Sequence, residues 1–246
     1  METAEGTPER TLGTATTAAR ARSYRWVDLW HWPIRVMHWV AALSIVVLFI
    51  TGLYIGRPYF MTGGEASSHF LMGRMRFAHL LGAAILVATG IVRAYFLLAG
   101  NRYERFGALF PVRPRDWRNL WKQIKAYSLI DPEGALHFLG HNPLQQFSYT
   151  MLYVVTIVMA VTGFALYGQS HPDGVIYALF GWVNPLLGGA QVTRFWHHAL
   201  MWVFAIFIPV HLYFAVRADV TEKEGSISSM INGGKFVRED LTYEDE

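Results

Sequence analysis

The 246-residue sequence is 53% hydrophobic and 15% aromatic, with 16% charged residues and a positive mean hydropathy. This composition is too apolar for an ordinary soluble domain and predicts an integral membrane protein. The sequence contains no cysteine, which excludes disulfides, iron–sulfur ligation and thioether-linked haem. A pI near 9.2 does not indicate nucleic-acid binding here, because the basic residues flank hydrophobic segments, where membrane lipid and topology explain them.

The chain divides into three parts. Residues 1–24 lack the early basic segment and compact apolar core of a signal peptide, and they predict a disordered cytoplasmic tail. Residues 25–220 hold all the long apolar segments and predict one transmembrane domain. Residues 221–246 are more polar and are predicted to form a cytoplasmic C-terminal tail.

Four segments each supply the roughly 20 apolar residues that a helix needs to cross a bilayer. They are residues 36–55, 77–99, 147–167 and 195–216. A fifth stretch, residues 175–189, is short and interrupted by Pro185 and glycines, which favours an interfacial or re-entrant piece. The sequence therefore predicts an all-α membrane protein, a bundle of four transmembrane helices.

The distribution of lysine and arginine predicts how this bundle is oriented. The N-terminal tail, the loop of residues 100–146 and the C-terminal segment together contain 16 of these residues, whereas the opposite face has four. The positive-inside rule therefore places both termini and the long loop in the cytoplasm. The four basic residues of the opposite face are Arg57, Arg74, Arg76 and Arg194.

Three histidines interrupt the last apolar segment. At about 100° per residue, the 14-residue spacing between His197 and His211 keeps both on one helix face, whereas His198 faces nearly opposite to His211. A rise of about 1.5 Å per residue separates His197 from His211 by roughly 21 Å, so each needs a partner at its own depth. In the predicted helices His79 lies level with His197, and His38 lies level with His211. We therefore predict two histidine pairs, with His198 in neither.

Two histidine pairs at different depths of a helical bundle are what two six-coordinate haems require, because a neutral imidazole is a good axial iron ligand. We predict two b-type haems without covalent links, an outer one held by His79 and His197 and an inner one held by His38 and His211. For any one of these histidines, a proton relay, metal transport or an interhelical hydrogen bond is the alternative. Small residues that leave room for the macrocycles are Gly52, Gly82, Gly90 and Gly163.

Long stretches of the chain resemble one known family. The blocks RVMHWVAALSIVVLFITGLYIG, GEASSHFLMGRMRFAHLLGA, GHNPLQQFSY and WHHALMWVFAIFIPVHLYFAVRADV are similar to the b-type cytochrome subunit of membrane-bound nickel–iron hydrogenases, a cytochrome b561-like di-haem family. The resemblance covers roughly residues 25–238. It implies the same four histidines as haem ligands.

The resemblance also implies a function. The chain would be a subunit of the bacterial inner membrane that anchors a periplasm-facing hydrogenase. It would accept electrons from the iron–sulfur small subunit, and through it from the nickel–iron large subunit, and pass them to quinone. It would transfer electrons rather than split hydrogen. The alternatives are a formate dehydrogenase-type cytochrome b subunit and a stand-alone di-haem oxidoreductase such as a superoxide oxidase.

Two further groups of polar residues are candidates for function. A quinone or proton site is predicted where the third transmembrane helix begins, at His137, His141 and Asn142, with loop structure and helix capping as the alternative. Four arginines are candidate contacts of haem propionates or of the partner protein, with snorkelling to lipid headgroups as the alternative. These are Arg74, Arg76, Arg93 and Arg194.

Overall fold

A computed structural model describes residues 23–61, 63–65, 69–128, 130 and 136–246. The predicted N-terminal tail lies outside the described residues except for its last two positions. The described residues form helices and two short strands. In chain order these are β1 (Tyr24–Asp28), α1 (Trp32–Gly56), α2 (Leu71–Ala99), α3 (Phe106–Leu109), α4 (Pro114–Tyr127), α5 (Pro143–Gly168), α6 (Val175–Phe180), α7 (Val183–Leu186), α8 (Ala190–Glu222), α9 (Ser226–Asn232) and β2 (Gly234–Arg238).

Four helices, α1, α2, α5 and α8, are long and apolar enough to cross a membrane, and they contain the four predicted segments. They have 25, 29, 26 and 33 residues. At about 1.5 Å per residue, even the shortest exceeds the roughly 30 Å hydrocarbon core of a bilayer. Few side chains in their most apolar windows are buried within the chain, as expected of helices whose outer surface lipid covers. The prediction of four transmembrane helices is confirmed.

The starts and interruptions of these helices follow from local sequence. Asn142 caps α5: its side chain accepts a hydrogen bond from the Gln145 backbone at 2.9 Å, and the Gln145 side chain accepts one from the Asn142 backbone at 2.9 Å. Pro143 follows in the first turn, where a missing N–H costs nothing. Pro209 lies inside α8, which continues through it.

The bundle has two different ends. At the hairpin end, where α1 and α5 finish and α2 and α8 begin, α6 and α7 form one short apolar helical segment of 12 residues, too short to cross. This segment packs on α5 through a stacked pair of rings, Phe164 and Phe180, and through Asn184, whose side chain donates to the Ala165 carbonyl at 3.0 Å. The prediction that residues 175–189 do not form a fifth transmembrane helix is confirmed.

At the opposite end, the sheet end, the two ends of the described chain meet. β1 pairs antiparallel with β2, from Tyr24 opposite Arg238 to Asp28 opposite Gly234. The fold is therefore mostly helical rather than all-α as predicted, and residues 226–238 contain a helix and a strand within the segment predicted as a tail. The strands cover a small buried core formed by Leu29, Tyr103, Leu139, Val237 and Tyr243.

The helix α4 crosses the sheet end with an unusual distribution of side chains. Its buried face carries Asp116, Asn119 and Gln123, whereas Trp117 and Trp121 are 53% and 60% exposed. Tryptophan is enriched at the membrane–water interface, because its ring is apolar and its N–H is polar. Two exposed tryptophans opposite a buried polar face are typical of a helix at a membrane surface.

Candidate haem sites

The first candidate site lies between α2 and α8, near the hairpin end. His79 and His197 each come from the third turn of their helix and face each other, with ring centroids 6.4 Å apart and ring planes inclined at 67°. The structure thus brings together the two residues of the predicted outer pair.

The second candidate site lies between α1 and α8, near the sheet end. His38 and His211 face each other with ring centroids 6.3 Å apart and planes inclined at 53°. Fourteen residues of α8, roughly 21 Å along its axis, separate the two sites. The structure thus brings together the predicted inner pair as well.

The spacing of the rings tests whether an iron ion fits between them. A metal-bound imidazole nitrogen lies about 2.0–2.1 Å from its metal and about 1.1 Å from its own ring centre, so two rings on opposite sides of one iron have centroids about 6.2 Å apart. Two rings joined directly by a hydrogen bond of about 3 Å would have centroids about 5.2 Å apart. The observed 6.3 and 6.4 Å fit axial ligation of one iron per pair.

Both histidines of the outer pair are held by threonines. The Nδ1 atom of His79 lies 2.9 Å from Oγ1 of Thr51 in α1, and Nδ1 of His197 lies 2.9 Å from Oγ1 of Thr162 in α5. Each hydroxyl also donates to the carbonyl four residues earlier in its own helix, at 2.6 and 2.8 Å. Both threonines are buried, with 5% and 2% of their surface exposed.

These hydrogen bonds determine which ring nitrogen carries the proton. A hydroxyl has one proton, and each threonine uses it on a backbone carbonyl, so its oxygen accepts from the imidazole. Nδ1 of His79 and of His197 is therefore the protonated nitrogen, and the lone pair is on Nε2. This is the tautomer that a metal-ligating histidine adopts when its other nitrogen has a hydrogen-bond acceptor.

Two glycines make space beside the same rings. A Cβ at Gly52 would lie 3.4 Å from Cε1 of His79, and one at Gly163 would lie 3.2 Å from Cε1 of His197. Gly82 instead packs against α1, and a Cβ at Gly90 would meet open space within 4 Å. Of the four glycines expected to make room for cofactors, two therefore border the outer histidines directly.

The inner pair is oriented by aromatic rings. Phe207, one turn before His211, stacks on its imidazole at 5.4 Å and 10°, and Trp39 packs edge-on against His38. The Nδ1 atom of His38 is buried and has no hydrogen-bond partner among the residues that the structure describes. Within the described residues, the imidazole of His38 thus lacks the hydroxyl acceptor that each outer imidazole has.

His198 faces a different neighbour. Its ring lies against Gly56 at the end of α1, so close that a Cβ there would lie 2.7 Å from Cε1. The ring of His79 instead pairs with His197. This placement agrees with the expectation that His198 belongs to neither pair.

A chain of aromatic rings leads from the inner pair to the sheet end. Tyr149 of α5 lies 6.4 Å from His211 and 5.4 Å from His141, which in turn lies 4.9 Å from Trp30, all between ring centroids. Burial, and to a smaller extent the nearby charge of Arg93, lowers the pKa of His141 to about 3. His141 is therefore neutral at physiological pH.

The other two residues of the predicted quinone or proton site lie elsewhere. His137 points toward the C-terminal segment, with its ring 6.4 Å from that of Tyr243. Asn142 is used as the α5 cap. Of these three residues, His141 is therefore the one linked to the inner pair, through the ring of Tyr149.

The four candidate arginines also separate into two groups. Arg74, Arg76 and Arg194 are exposed at the hairpin end, where Arg194 donates to the Gln191 side chain at 2.7 Å. Arg93 points toward the sheet end: its Nη2 donates to the Glu104 carbonyl at 3.0 Å, and its Nη1 is buried with no partner in the described part of the chain. A buried unpaired guanidinium N–H is suited to an anionic group such as a haem propionate.

Sequence reasoning did not identify Thr51, Thr162 or Tyr149. A signal for the threonines was present, because both occur as Thr-Gly pairs near the end of a helix that runs toward the hairpin end, in FITGLYIG and AVTGFALYG. Threonine in a membrane helix commonly bonds only to its own backbone, however, so the pair alone does not point to a histidine on another helix.

Comparison with known proteins identifies a family and relatives of the chain. The family model for prokaryotic cytochrome b561 matches residues 29–233. The chain is 38% identical over 235 residues to a probable Ni/Fe-hydrogenase B-type cytochrome subunit of Azotobacter vinelandii, covering 94% of this chain and 98% of the relative. It is 37% identical to the Cupriavidus necator subunit of that name, covering 90% and 91%, and 32% identical to the probable Ni/Fe-hydrogenase 1 B-type cytochrome subunit of Escherichia coli K12, covering 82% and 87%. The matched residues include all four long helices and both histidine pairs, and the chain belongs to the prokaryotic cytochrome b561 family.

Proposed function

We propose that this chain is a di-haem cytochrome b subunit that anchors a nickel–iron hydrogenase and carries its electrons to membrane quinone. The observation that supports this most strongly is the spacing within the two histidine pairs at two depths of one bundle. Their ring centroids lie 6.3 and 6.4 Å apart, which fits one iron between each pair of rings. The relatives at 32–38% identity are named as hydrogenase cytochrome subunits, which favours a hydrogenase over a formate dehydrogenase or a stand-alone oxidoreductase.

The four histidines supply the axial ligands in this proposal. His79 and His197 hold the outer b-type haem, and His38 and His211 hold the inner one. Haem iron supplies one-electron redox chemistry, whose potential depends on axial ligands, their hydrogen bonds and burial. The long apolar helices surround both sites, and packing against neighbouring side chains orients the imidazoles.

The orientation follows from charge. The sheet end carries most of the lysines and arginines, and the hairpin end carries few, so the positive-inside rule places the sheet end in the cytoplasm of a bacterial inner membrane. The hairpin end then faces the periplasm. Electrons enter through the outer site and move inward.

The hairpin end is the proposed docking surface for the iron–sulfur small subunit, which in turn binds the nickel–iron large subunit. The outer histidines lie within three turns of this end. Arg74 and Arg76 are exposed beside it and are suited to acidic groups of a partner. Both arginines remain there although the positive-inside rule disfavours basic residues on this face.

The proposed quinone site lies near the inner pair at the sheet end. His141 reaches this region through Tyr149 and also lines an open cavity of about 610 Å³, together with Arg105 and Gln146. A neutral imidazole between the membrane interior and an open polar cavity can accept a proton on one nitrogen and donate from the other. We therefore assign proton delivery to His141 rather than to His137 or Asn142.

Purification of the chain from membranes in mild detergent tests the proposal. We expect a reduced-minus-oxidised spectrum of b-type haem, two haems per chain by pyridine haemochrome assay, and co-elution of an iron–sulfur protein. Hydrogen should reduce the haems in the complex but not in the isolated chain. A chain without haem, or one that turns over superoxide by itself, would contradict the assignment.

A further inference from the structure

The two histidine pairs differ in what lies behind their imidazoles. In the outer pair, Nδ1 of both rings donates to a threonine hydroxyl at 2.9 Å. In the inner pair, Nδ1 of His38 has no partner among the described residues, and aromatic packing orients both rings.

We infer that Thr51 and Thr162 are positioning residues that make the outer haem the lower-potential one, and thereby set the direction of electron flow from the outer to the inner site. The inference rests on the proposed haem ligation. It assigns these two hydroxyls a role in addition to fixing the helices.

The direction of the shift in reduction potential follows from the chemistry of the imidazole ligand. A hydrogen-bond acceptor on Nδ1–H increases the electron density and basicity of the imidazole. A more basic ligand stabilises ferric iron relative to ferrous iron and lowers the reduction potential. The outer site has a hydroxyl acceptor on both ligands, whereas Nδ1 of His38 in the inner site has no acceptor in the described part of the chain. On this difference, transfer from the outer to the inner site is downhill.

The two threonines are equivalent by structure. Each is buried, precedes a glycine that borders the same imidazole, and belongs to a helix that supplies no ligand to the outer site. The site therefore has one hydroxyl behind each ligand, supplied by α1 on one side and by α5 on the other. Such symmetry is not expected of threonines that only bond to their own backbone.

The test is a redox titration of the purified holoprotein, with the two haems resolved by optical and low-temperature electron paramagnetic resonance spectra. Thr51→Val and Thr162→Val remove the acceptors at nearly constant volume. We expect each variant to increase the reduced-to-oxidised ratio of the lower-potential haem about fivefold at a given applied potential, the typical effect of one neutral hydrogen bond. This corresponds to a rise of about 40 mV in the reduction potential of a one-electron couple. The higher potential should stay unchanged.

Two controls separate hydrogen bonding from packing. Thr51→Ser and Thr162→Ser keep the hydroxyl and should keep the potential. Thr156→Val removes a hydroxyl in α5 that donates only to the Leu152 carbonyl at 2.7 Å, and it should shift neither haem. A valine variant can also lose one haem altogether. Loss of the lower-potential haem in the valine variant, together with its retention in the serine variant, also supports the role of the hydroxyl.

The inference is overturned if the valine variants bind two haems and neither potential moves, if only the higher potential moves, or if serine behaves like valine. These results leave the proposed function intact. Absence of haem from the wild-type chain instead refutes the proposed function itself.

Discussion

Replacing His197 by alanine should remove one haem and leave the other. His197 supplies one of the two imidazoles of the outer pair, and its ring centroid lies 6.4 Å from that of His79. Without the His197 ring, His79 has no opposing imidazole. A single imidazole and a neutral alanine cannot provide two axial bonds to one iron. We expect the haem content to fall from about two to about one per chain, because the affected site keeps only one of its two iron ligands.

The inner site should be unaffected because of distance. Effects of substitutions more than about 7–10 Å apart are usually independent, and the 14 residues between His197 and His211 separate the two sites by roughly 21 Å along α8. The partner of His211 in the inner pair, His38, also comes from α1, whereas the partner of His197 comes from α2. The same result is expected for His79→Ala, and His197→Ala combined with His211→Ala should leave no bound haem.

The assay is a pyridine haemochrome measurement per chain, with protein determined by amino-acid analysis after purification in detergent. Electron paramagnetic resonance of the remaining haem should match the inner signal of the wild-type protein. Retention of two haems in both His79→Ala and His197→Ala would refute the assignment of the pair. Loss of both haems in a variant that remains folded would refute the independence of the two sites.

The remaining predictions concern residues outside the two pairs. His198→Ala should keep both haems, because the ring lies against Gly56 rather than against the outer pair, and loss of one haem would reverse the choice of ligand. Reversal of Arg74 and Arg76 to glutamate should slow hydrogen-driven haem reduction while leaving dithionite reduction and haem content unchanged; unchanged hydrogen-driven reduction would contradict a docking role. Glu104→Ala should destabilise the protein by roughly 2–5 kcal/mol, because this fully buried carboxylate accepts three hydrogen bonds, and Glu104→Gln should cost less. Thermal unfolding in detergent measures both variants, and equal midpoints for alanine and wild type would show that the buried acceptor contributes nothing.

The transmembrane helices and the histidine pairs could be predicted because both signals are local or periodic. A long apolar segment identifies a crossing without knowledge of its neighbours. The spacing of 14 residues between His197 and His211 fixes a shared face and two depths through helix geometry alone. The depths of His38 and His79 then follow from the alternating direction of successive helices.

Features that depend on contacts between distant segments could not be predicted in this way. Strand β1 has only five residues, and its partner β2 lies more than 200 residues later, so no local pattern reveals the sheet. The roles of Thr51 and Thr162 depend on the rotation of α1 and α5 about their axes relative to α2 and α8. Hydropathy does not fix that rotation when most of each helix surface is apolar.

The small sheet gives the chain an order of assembly. Its strands precede α1 and follow α8, so it can close only after the last long helix has been synthesised and inserted. Both histidine pairs also need α8, which contributes one residue to each. Until then, His38 in α1 and His79 in α2 lack their partner histidines, and β1 has an unpaired edge. Formation of the sheet and completion of the histidine pairs therefore both depend on insertion of α8. A chain that ends before α8 has an unpaired β1 strand and incomplete histidine pairs.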